Sequence, residues 1–580
     1  MRDQGLAQAW AAVPAPARAR LTLASTGWRH LALAGADCLR AARAEQEPDE
    51  AARLYALASG VLLWAFGENP LHGPLAAEIL GAADLPLPAP ARAALSAVAQ
   101  GWRAPGPGEG GMALFERLAA RRDTARLADF LAGQASRNAH SLFWREKALA
   151  LALYLGDAEP EACAKLEAAA LGGLDGGLAL VAGLLRGQSA FLRGETELCL
   201  RELSTLPPAF GPSFAAARAG LALLAAGEDA AAMPLLFDSL AAAPWQASLA
   251  MVAADALQGA RQALVPPPGP VLVMLYTWNK AADLDATLSS LMASELCGGR
   301  VLVLDNGSSD ATPQVLDAWE ARAGGTLSRV TLPVNIGAPA ARNWLLATEA
   351  ARAAETLVFL DDDVTLPADW LGRLGAAQAR QPLAGVVGCS VADSQAPHLL
   401  QNVAGHLAIP PEVEAEPGDA RPDLDFQSLT PNPFRLLDAH LQGPDWGLFA
   451  HVSPCASVTG CCHLFRRADV LAPAQKGGGF SLALAPSQYD DFERDLRMCA
   501  AGGFAVHTGH LRVRHRKRSG LAAQGGGEAD GQASLSALGN RYKMQTMHPR
   551  AEIAAIISAQ AERLGEHIDD TLRRLDAARP

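Results

Sequence analysis

From the N-terminus to about Ala263 the apolar positions recur at the three- and four-residue spacing of a single helix face. The stretch is dominated by Ala and Leu and has almost no β-branched runs, so helices are predicted throughout. Gly67, Gly101, Gly156, Gly194 and Gly227 each sit at or near the end of an apolar helical stretch. The run Val265-Pro266-Pro267-Pro268-Gly269-Pro270 then breaks the pattern, because consecutive prolines remove backbone donors and stiffen the chain. Beyond it, short apolar runs of strand character alternate with helical stretches. The predicted strands are Val271 to Tyr276, Val301 to Leu304, Val330 to Leu332 and Leu357 to Leu360, and the intervening helices start near Ala281, Ala311 and Ala340. That alternation predicts an α/β domain with a mostly parallel sheet covered by helices on both faces. The expected organisation is an all-α domain over 1–265, an α/β domain over 266–520 and a helical extension over 521–580.

Within the helical half, the intervals 67 to 101 and 194 to 227 lie near the ~34-residue period of tetratricopeptide arrays, and the other intervals do not. The clearest unit runs from Leu221 through Gly227 to Ala232, Leu235, Leu236, Phe237 and Leu240 and closes at Pro244. It resembles a tetratricopeptide-like hairpin: a small-residue helix, a glycine turn, a second helix and a proline. Stacked hairpins of this kind expose a concave surface, and the resemblance implies a protein partner on the helical domain. A helical domain that only packs on the second half is the equally weighted alternative.

Composition narrows the picture further. A chain of 580 residues exceeds one hydrophobic core, and its 50% hydrophobic and 19% charged residues are those of a folded protein. The 61 acidic residues outnumber the 49 basic ones, for a net charge of -12, which argues against nucleic acid as a partner. The one dense basic run, Arg512, Arg514, Arg516, Lys517 and Arg518, suits a single diphosphate. Nine cysteines without CxxC spacing fit a reducing, cytoplasmic location. Cys455, Cys461, Cys462 and His463 could suggest zinc, but small buried apolar side chains are the stronger expectation. With no signal-like N-terminus and no apolar run of the ~20 residues a bilayer needs, membrane contact is expected to be peripheral at most, at the inner face.

The candidate chemistry lies where strands end, since sites in open α/β sheets form at the carboxyl ends of strands. Those loops read Thr277-Trp278-Asn279-Lys280, then Asp305-Asn306-Gly307-Ser308-Ser309-Asp310, then Asn335-Ile336-Gly337 with Ala341-Arg342-Asn343, then Asp361-Asp362-Asp363. In order and spacing they resemble the family 2 inverting glycosyltransferases, which have an A-type glycosyltransferase fold. The resemblance covers about Pro270 to Gly520 and is weaker in its middle. Asp305 ends its strand with a carboxylate able to accept hydrogen bonds from a ribose or base, and its family counterpart contacts the nucleotide. Asp310 is placed to cap the next helix. Arg342, near a helix start, could hold a phosphate oxygen. Three adjacent aspartates repel unless a cation sits among them, and carboxylate oxygens suit Mg²⁺ or Mn²⁺. The resemblance implies nucleotide-sugar contacts from Thr277, Asn279, Asp305, Arg342, Asp361 and Asp362, and metal ligation by Asp361 and Asp363.

Residues Ala392 to Pro454 form a long mixed stretch expected to shape the acceptor site. The resemblance returns at Thr459-Gly460-Cys461-Cys462-His463-Leu464-Phe465-Arg466-Arg467 and at Tyr489-Asp490-Asp491. It implies that Trp370, Gly460 and Asp490 lie on the acceptor side, that Asp491 is the catalytic base, and that His515 is a further metal ligand. Ser481 stands where many relatives have an acidic residue after Gly-Gly-Phe. Arg516, Lys517 and Arg518 could fold over donor phosphates. The expected activity is sugar transfer from a nucleotide-diphosphate sugar to a hydroxyl of a glycan, a lipid-linked saccharide or a protein, with inversion. A nucleotidyltransferase would normally want a Gly-rich phosphate loop after the first strand, which Thr277-Trp278-Asn279-Lys280 is not. A repeat scaffold with an inactive transferase domain would have no reason to keep the acidic motifs.

Overall fold

The computed structural model describes residues 5–106, 108–121, 123–137, 139–206, 212–408, 434–437, 443–517 and 528–579. Arg518 and much of the middle stretch, 409–433 and 438–442, lie outside the described residues. The first half is all helix from Leu6–Ala11 to Ala247–Leu257. Neighbours in sequence pack as pairs, among them Trp28–Ala44 with Pro48–Glu68, Ser141–Leu155 with Pro160–Leu171, and Pro212–Ala225 with Asp229–Ala242. In the last pair the turn is made at Gly227, whose φ of 84° suits glycine, and Ala232, Leu236 and Leu240 form a fully buried stripe at four-residue spacing.

The second half is built on a sheet of order β10-β12-β6-β11-β4-β1-β2-β3. Its strands are β1 (Val271–Thr277), β2 (Arg300–Asp305), β3 (Leu327–Thr331), β4 (Thr356–Leu360), β6 (Val386–Asp393), β10 (Val452–Cys455), β11 (Cys462–Arg466) and β12 (Ala505–His515). The short β5 (Val364–Thr365) pairs β12 and β7 (Leu400–Asn402) pairs β6, while β8 (Leu407–Ala408) and β9 (Arg435–Leu436) make a separate ribbon. The β4-β1-β2-β3 half is parallel, connected by helices Ala281–Met292, Thr312–Arg322 and Ala338–Ala347; β11 runs antiparallel to β4. The two-residue period of the strands divides their side chains between two cores. Val271, Val273, Leu275, Val301 and Val303 enter one, and Leu272, Met274, Leu302 and Leu304 the other. Burial on both faces is why these strands read as continuous apolar runs rather than alternating ones.

The two halves share packing and polar contacts. The proline segment lies against helix Trp370–Arg380, and a Cβ on Gly375 would come within 2.0 Å of the Val265 carbonyl oxygen, so only glycine admits that approach. Asp255, on the last helix of the first half, accepts from His510 Nε2 at 2.8 Å, from Arg380 at 2.7 Å and from the Val452 amide at 2.8 Å. Beyond helix Glu528–Met547, the long helix Arg550–Ala578 returns to the first half: Leu564, Ile568, Leu572 and Leu575 belong to its hydrophobic core. Asp576 accepts from the Leu6 and Ala7 amides at 2.7 and 3.1 Å, meeting donors that the first helix leaves free. No helix among the described residues is long and apolar enough to cross a membrane.

Candidate active site

The parallel register sets the first wall of the site. Thr277 and Asp305 are paired partners at the ends of β1 and β2, and Asp361 follows β4 directly. Asp305 is buried and accepts from the Ser308 amide at 2.9 Å. Asn279, at a φ of 53°, is used between loops: its Oδ1 accepts from the Ser309 amide at 2.7 Å and its own amide donates to Ser308 Oγ at 3.0 Å. Asp310 accepts from the Thr312 amide at 3.0 Å and from the Ala281 amide at 3.2 Å, serving the starts of two helices. Asn306 joins the third loop, donating to Asn335 Oδ1 at 2.9 Å and accepting from the Ile336 amide at 3.0 Å.

The three aspartates diverge. Lys280 Nζ stands 3.0 Å from Asp362 Oδ1 and 2.7 Å from Asp363 Oδ2, so an ammonium already answers part of their repulsion. Burial pushes the Asp362 carboxyl up to about 6, against the pull of Lys280. For Asp363 burial acts the same way, but the hydrogen bond and charge of His515, joined by Lys280, outweigh it and hold the carboxyl below its ordinary range. His515 Nε2 is 3.1 Å from Asp363 Oδ1, and Nδ1 is 2.8 Å from Gln401 Oε1. Because that amide oxygen can only accept, it keeps a proton on Nδ1, and the Asp363 carboxylate favours a second on Nε2, raising the imidazole above its ordinary range against burial. A carboxylate oxygen of Asp361, the sulfur of Cys461 and a ring nitrogen of His515 all lie within 4.8 Å of one another. Mixed oxygen, nitrogen and sulfur donors at that separation fit a divalent cation.

The opposite wall is the acidic pair that opens helix Asp490–Ala500. Asp490 is buried and pairs with Arg342 at 2.5 Å, while the other amino group of Arg342 stands 3.6 Å from Asp361. Burial raises the Asp490 carboxyl, with Arg342 opposing. The Arg342 guanidinium also lies over the rings of Tyr276 and Phe480 at 5.3 and 5.2 Å, which fixes its plane. Asp491 is only partly buried, and its Oδ2 accepts from the Gly460 amide at 2.6 Å. Any side chain at Gly460 would meet both Arg342 and Asp491, since a Cβ there falls 2.8 Å from each. Asn343 clamps the Gly-Gly-Phe turn, accepting from the Phe480 amide and donating to its carbonyl, each at 2.8 Å. The approach to the pair, Gln488 and Tyr489, is left-handed, with φ of 82° and 68°. It is held from outside: Ala338 donates to the Pro486 carbonyl at 2.7 Å, and Asn540 donates to the Leu484 and Ser487 carbonyls at 2.6 and 2.8 Å.

Thr277, Asn279, Asp305, Arg342, Asp361, Asp362, Asp363, Gly460, Asp490, Asp491 and His515 are therefore brought into one neighbourhood at the strand ends. Trp370, expected on the acceptor side, does not join them. It is fully buried in a sheet core and donates to Ser294 Oγ at 2.9 Å, because the helix it opens packs its apolar face on the sheet. Arg516 pairs with Asp283 at 2.8 Å, and the Lys517 carbonyl accepts from Gln401 Nε2 at 3.1 Å. Cys455, Cys461 and Cys462 are buried free thiols. Sequence reading assigned no role to Lys280, Gln401 or Asn540. Only Lys280 carried a signal, one residue beyond Asn279 in a motif loop; the other two arrive by tertiary packing.

Residues 272–425 match the family model described as Glycosyl transferase family 2. No curated protein matches the chain. Among solved structures, GalNAc-T7 with UDP, GalNAc and Mn²⁺ is similar at 13% identity and a TM-score of 0.32, over 43% of this chain and 44% of that one. A mannosyltransferase from Pyrobaculum calidifontis in complex with GDP-Man and Mn²⁺ gives 16% and 0.33, over 58% and 88%. TarS of S. aureus gives 14% and 0.28, over 48% and 44%. The chain thus spans less than half the length of two of these three.

Proposed function

We propose that the chain, whose residues 272–425 match the Glycosyl transferase family 2 model, moves a sugar from a nucleotide-diphosphate sugar to an acceptor hydroxyl, with inversion and with a divalent cation. The observation that carries the reading is Arg342, one guanidinium spanning Asp361 on the β4 side and Asp490 on the helix side. In this reading Arg342 links the carboxylate beside the donor to the acidic pair beside the acceptor.

Asp305 and the loop after β1 receive the nucleoside, with Asp361 and His515 beside the diphosphate. A bound cation, Mg²⁺ or Mn²⁺, held by Asp361 and His515 with Asp363 alongside, would offset the charge of the leaving diphosphate. Asp490 is committed to Arg342, whereas Asp491 keeps a partly exposed carboxylate steadied by the Gly460 amide. Asp491 is thus the base: it takes the acceptor hydroxyl proton as that oxygen bonds to the anomeric carbon and the bond from that carbon to the diphosphate breaks on the opposite face. Such proton transfer typically contributes about 10² to 10⁴ in rate. Asp491→Asn keeps shape and can still accept from Gly460, so it should lower transfer by that factor while donor binding and thermal stability hold. Asp490→Asn breaks the Arg342 pair and should weaken stability as well as rate. Wild-type transfer by Asp491→Asn would remove the assignment. Acceptor class, be it glycan, lipid-linked saccharide or protein, and a protein partner on the helical half belong to the same proposal, as does a cytoplasmic location with at most peripheral membrane contact.

A further inference from the structure

The register of the central sheet brings a sulfur into the acidic cluster. β11 runs antiparallel to β4 with Cys462 opposite Leu360, so the next pair outward is Cys461 opposite Asp361, joined by the Asp361 amide donating to the Cys461 carbonyl at 3.1 Å. Residues directly opposite in antiparallel strands project to the same face. His515 ends β12, paired with Val364 just past the aspartates. Three strands thus deliver three different donor atoms, those of Asp361, Cys461 and His515, mutually within 4.8 Å. Two ligands of one ion, bonded at roughly 2.0 to 2.4 Å, stand no more than about 4.8 Å apart. Asp363 is the carboxylate the triple-aspartate motif predicts at the ion, and Lys280 already engages one of its oxygens. Cys461 is a free, buried thiol whose sulfur has no disulfide partner.

We propose that Cys461 is a direct ligand of the divalent cation held by Asp361 and His515. With the ion bound, the Cys461 thiol and His515 Nε2 would each have given up a proton to solvent, and a lone pair on each would hold the metal. The donor set is then oxygen, nitrogen and sulfur, which favours borderline-soft ions such as Co²⁺ and Zn²⁺ over Mg²⁺, an ion that all-oxygen sites suit better. The inference rests on the metal dependence proposed above and specifies which side chains create it.

The test is a titration of the full-length protein, stripped of metal, with Co²⁺ followed by absorbance, and with Zn²⁺ and Mg²⁺ followed by calorimetry. The wild type should show a near-ultraviolet sulfur-to-cobalt charge-transfer band. Cys461→Ser should lose the band and bind Co²⁺ and Zn²⁺ about tenfold or more weakly, because even the loss of a group that only orients a ligand costs about that much. Its affinity for Mg²⁺ should change less than about threefold. Cys461→Asp replaces the soft ligand with a hard one and should shift preference toward Mg²⁺. A Co²⁺-loaded wild type without the band overturns the proposal, whether or not either variant folds, and so does a Cys461→Ser protein with wild-type spectrum and affinities. The titration needs neither donor nor acceptor. A protein that binds cobalt through sulfur but transfers no sugar would therefore refute the functional reading alone, and a transferase lacking the band would refute this one alone.

Discussion

Asn540 lies beyond residue 425, where the family match ends, yet it governs the backbone that delivers the acidic pair. Its buried amide group donates to two carbonyls of the 482–489 segment, and its oxygen accepts from Lys543 at 3.1 Å. Replacing it by alanine leaves both carbonyls without that donor, at roughly 1 to 3 kcal/mol for a buried group and less for the part-buried Ser487 carbonyl. The segment these bonds hold contains Gln488 and Tyr489 in the left-handed region, a conformation that costs roughly 1 to 2 kcal/mol per residue outside glycine. Restraint, up to about 6 kcal/mol for the two groups, and strain, about 2 to 4 kcal/mol for the two residues, are therefore comparable, and removing the restraint should let the segment relax and carry Asp490 and Asp491 off their positions. Every 1.4 kcal/mol of misplacement is about tenfold in rate. Asn540→Ala should lower kcat for transfer at least about tenfold while the donor KM moves little, because the contacts around Asp305 and Asp361 come from other loops. Steady-state kinetics with donor and acceptor varied separately, alongside urea unfolding, reads both effects. A variant that loses stability but keeps wild-type kcat would show that Asn540 only braces the fold.

Two further outcomes follow from the contacts between the halves. Burial pushes the His451 imidazole down to about 3, with Asp255, His510, His567 and His406 as its titratable neighbours; an unfolded histidine titrates near 6.5, so stability is full above about pH 6.5 and is lost as pH falls toward 3, by up to about 1.4 kcal/mol per pH unit for this one proton. His398, His463 and His567 are depressed by burial too and add to the slope, so His451→Gln should flatten the fall in urea midpoint between pH 7 and 5 in part, and an unchanged slope would refute the assignment. Leu564, Ile568, Leu572 and Leu575 sit in the core of the first half; a fragment of residues 1–265 should therefore be helical and should gain thermal stability from an added peptide of residues 550–578, and a melting temperature indifferent to that peptide would mean the fragment closes its own core.

The candidate site was legible where polar residues stand at strand ends. β1, β2 and β4 are apolar runs that stop at polar residues, so Thr277, Asp305 and Asp361 could be placed from the pattern alone, and the parallel sheet follows from the helices between them. Asp490 and Asp491 needed the resemblance, because nothing in their local sequence separates a base from a helix cap. β3 shows the limit of periodicity: it runs Leu327–Thr331 rather than Val330 to Leu332, since Ser328 and Arg329 hide its beginning. Trp370 misled because an aromatic at the start of a helix reads the same whether it faces a ligand or a core. Gln401, Asn540 and the contact of Cys461 with Asp361 depend on which strands and helices become neighbours, and β11 beside β4 is a pairing between segments about a hundred residues apart. The return of helix Arg550–Ala578 to the first half is of the same kind: its heptad-like apolar spacing predicts a helix but not the core it enters.

The central claim is sugar transfer from a nucleotide-diphosphate donor, and the most direct measurement is nucleoside diphosphate release from a panel of such donors, in Mn²⁺ or Mg²⁺ and again in excess chelator. The account expects one donor to be turned over with metal, release to stop in chelator and return when metal is restored, and the Asp491→Asn variant to bind that donor without turning it over in the presence of acceptor. Full turnover in chelator, or pyrophosphate as the product in place of a nucleoside diphosphate, would contradict it.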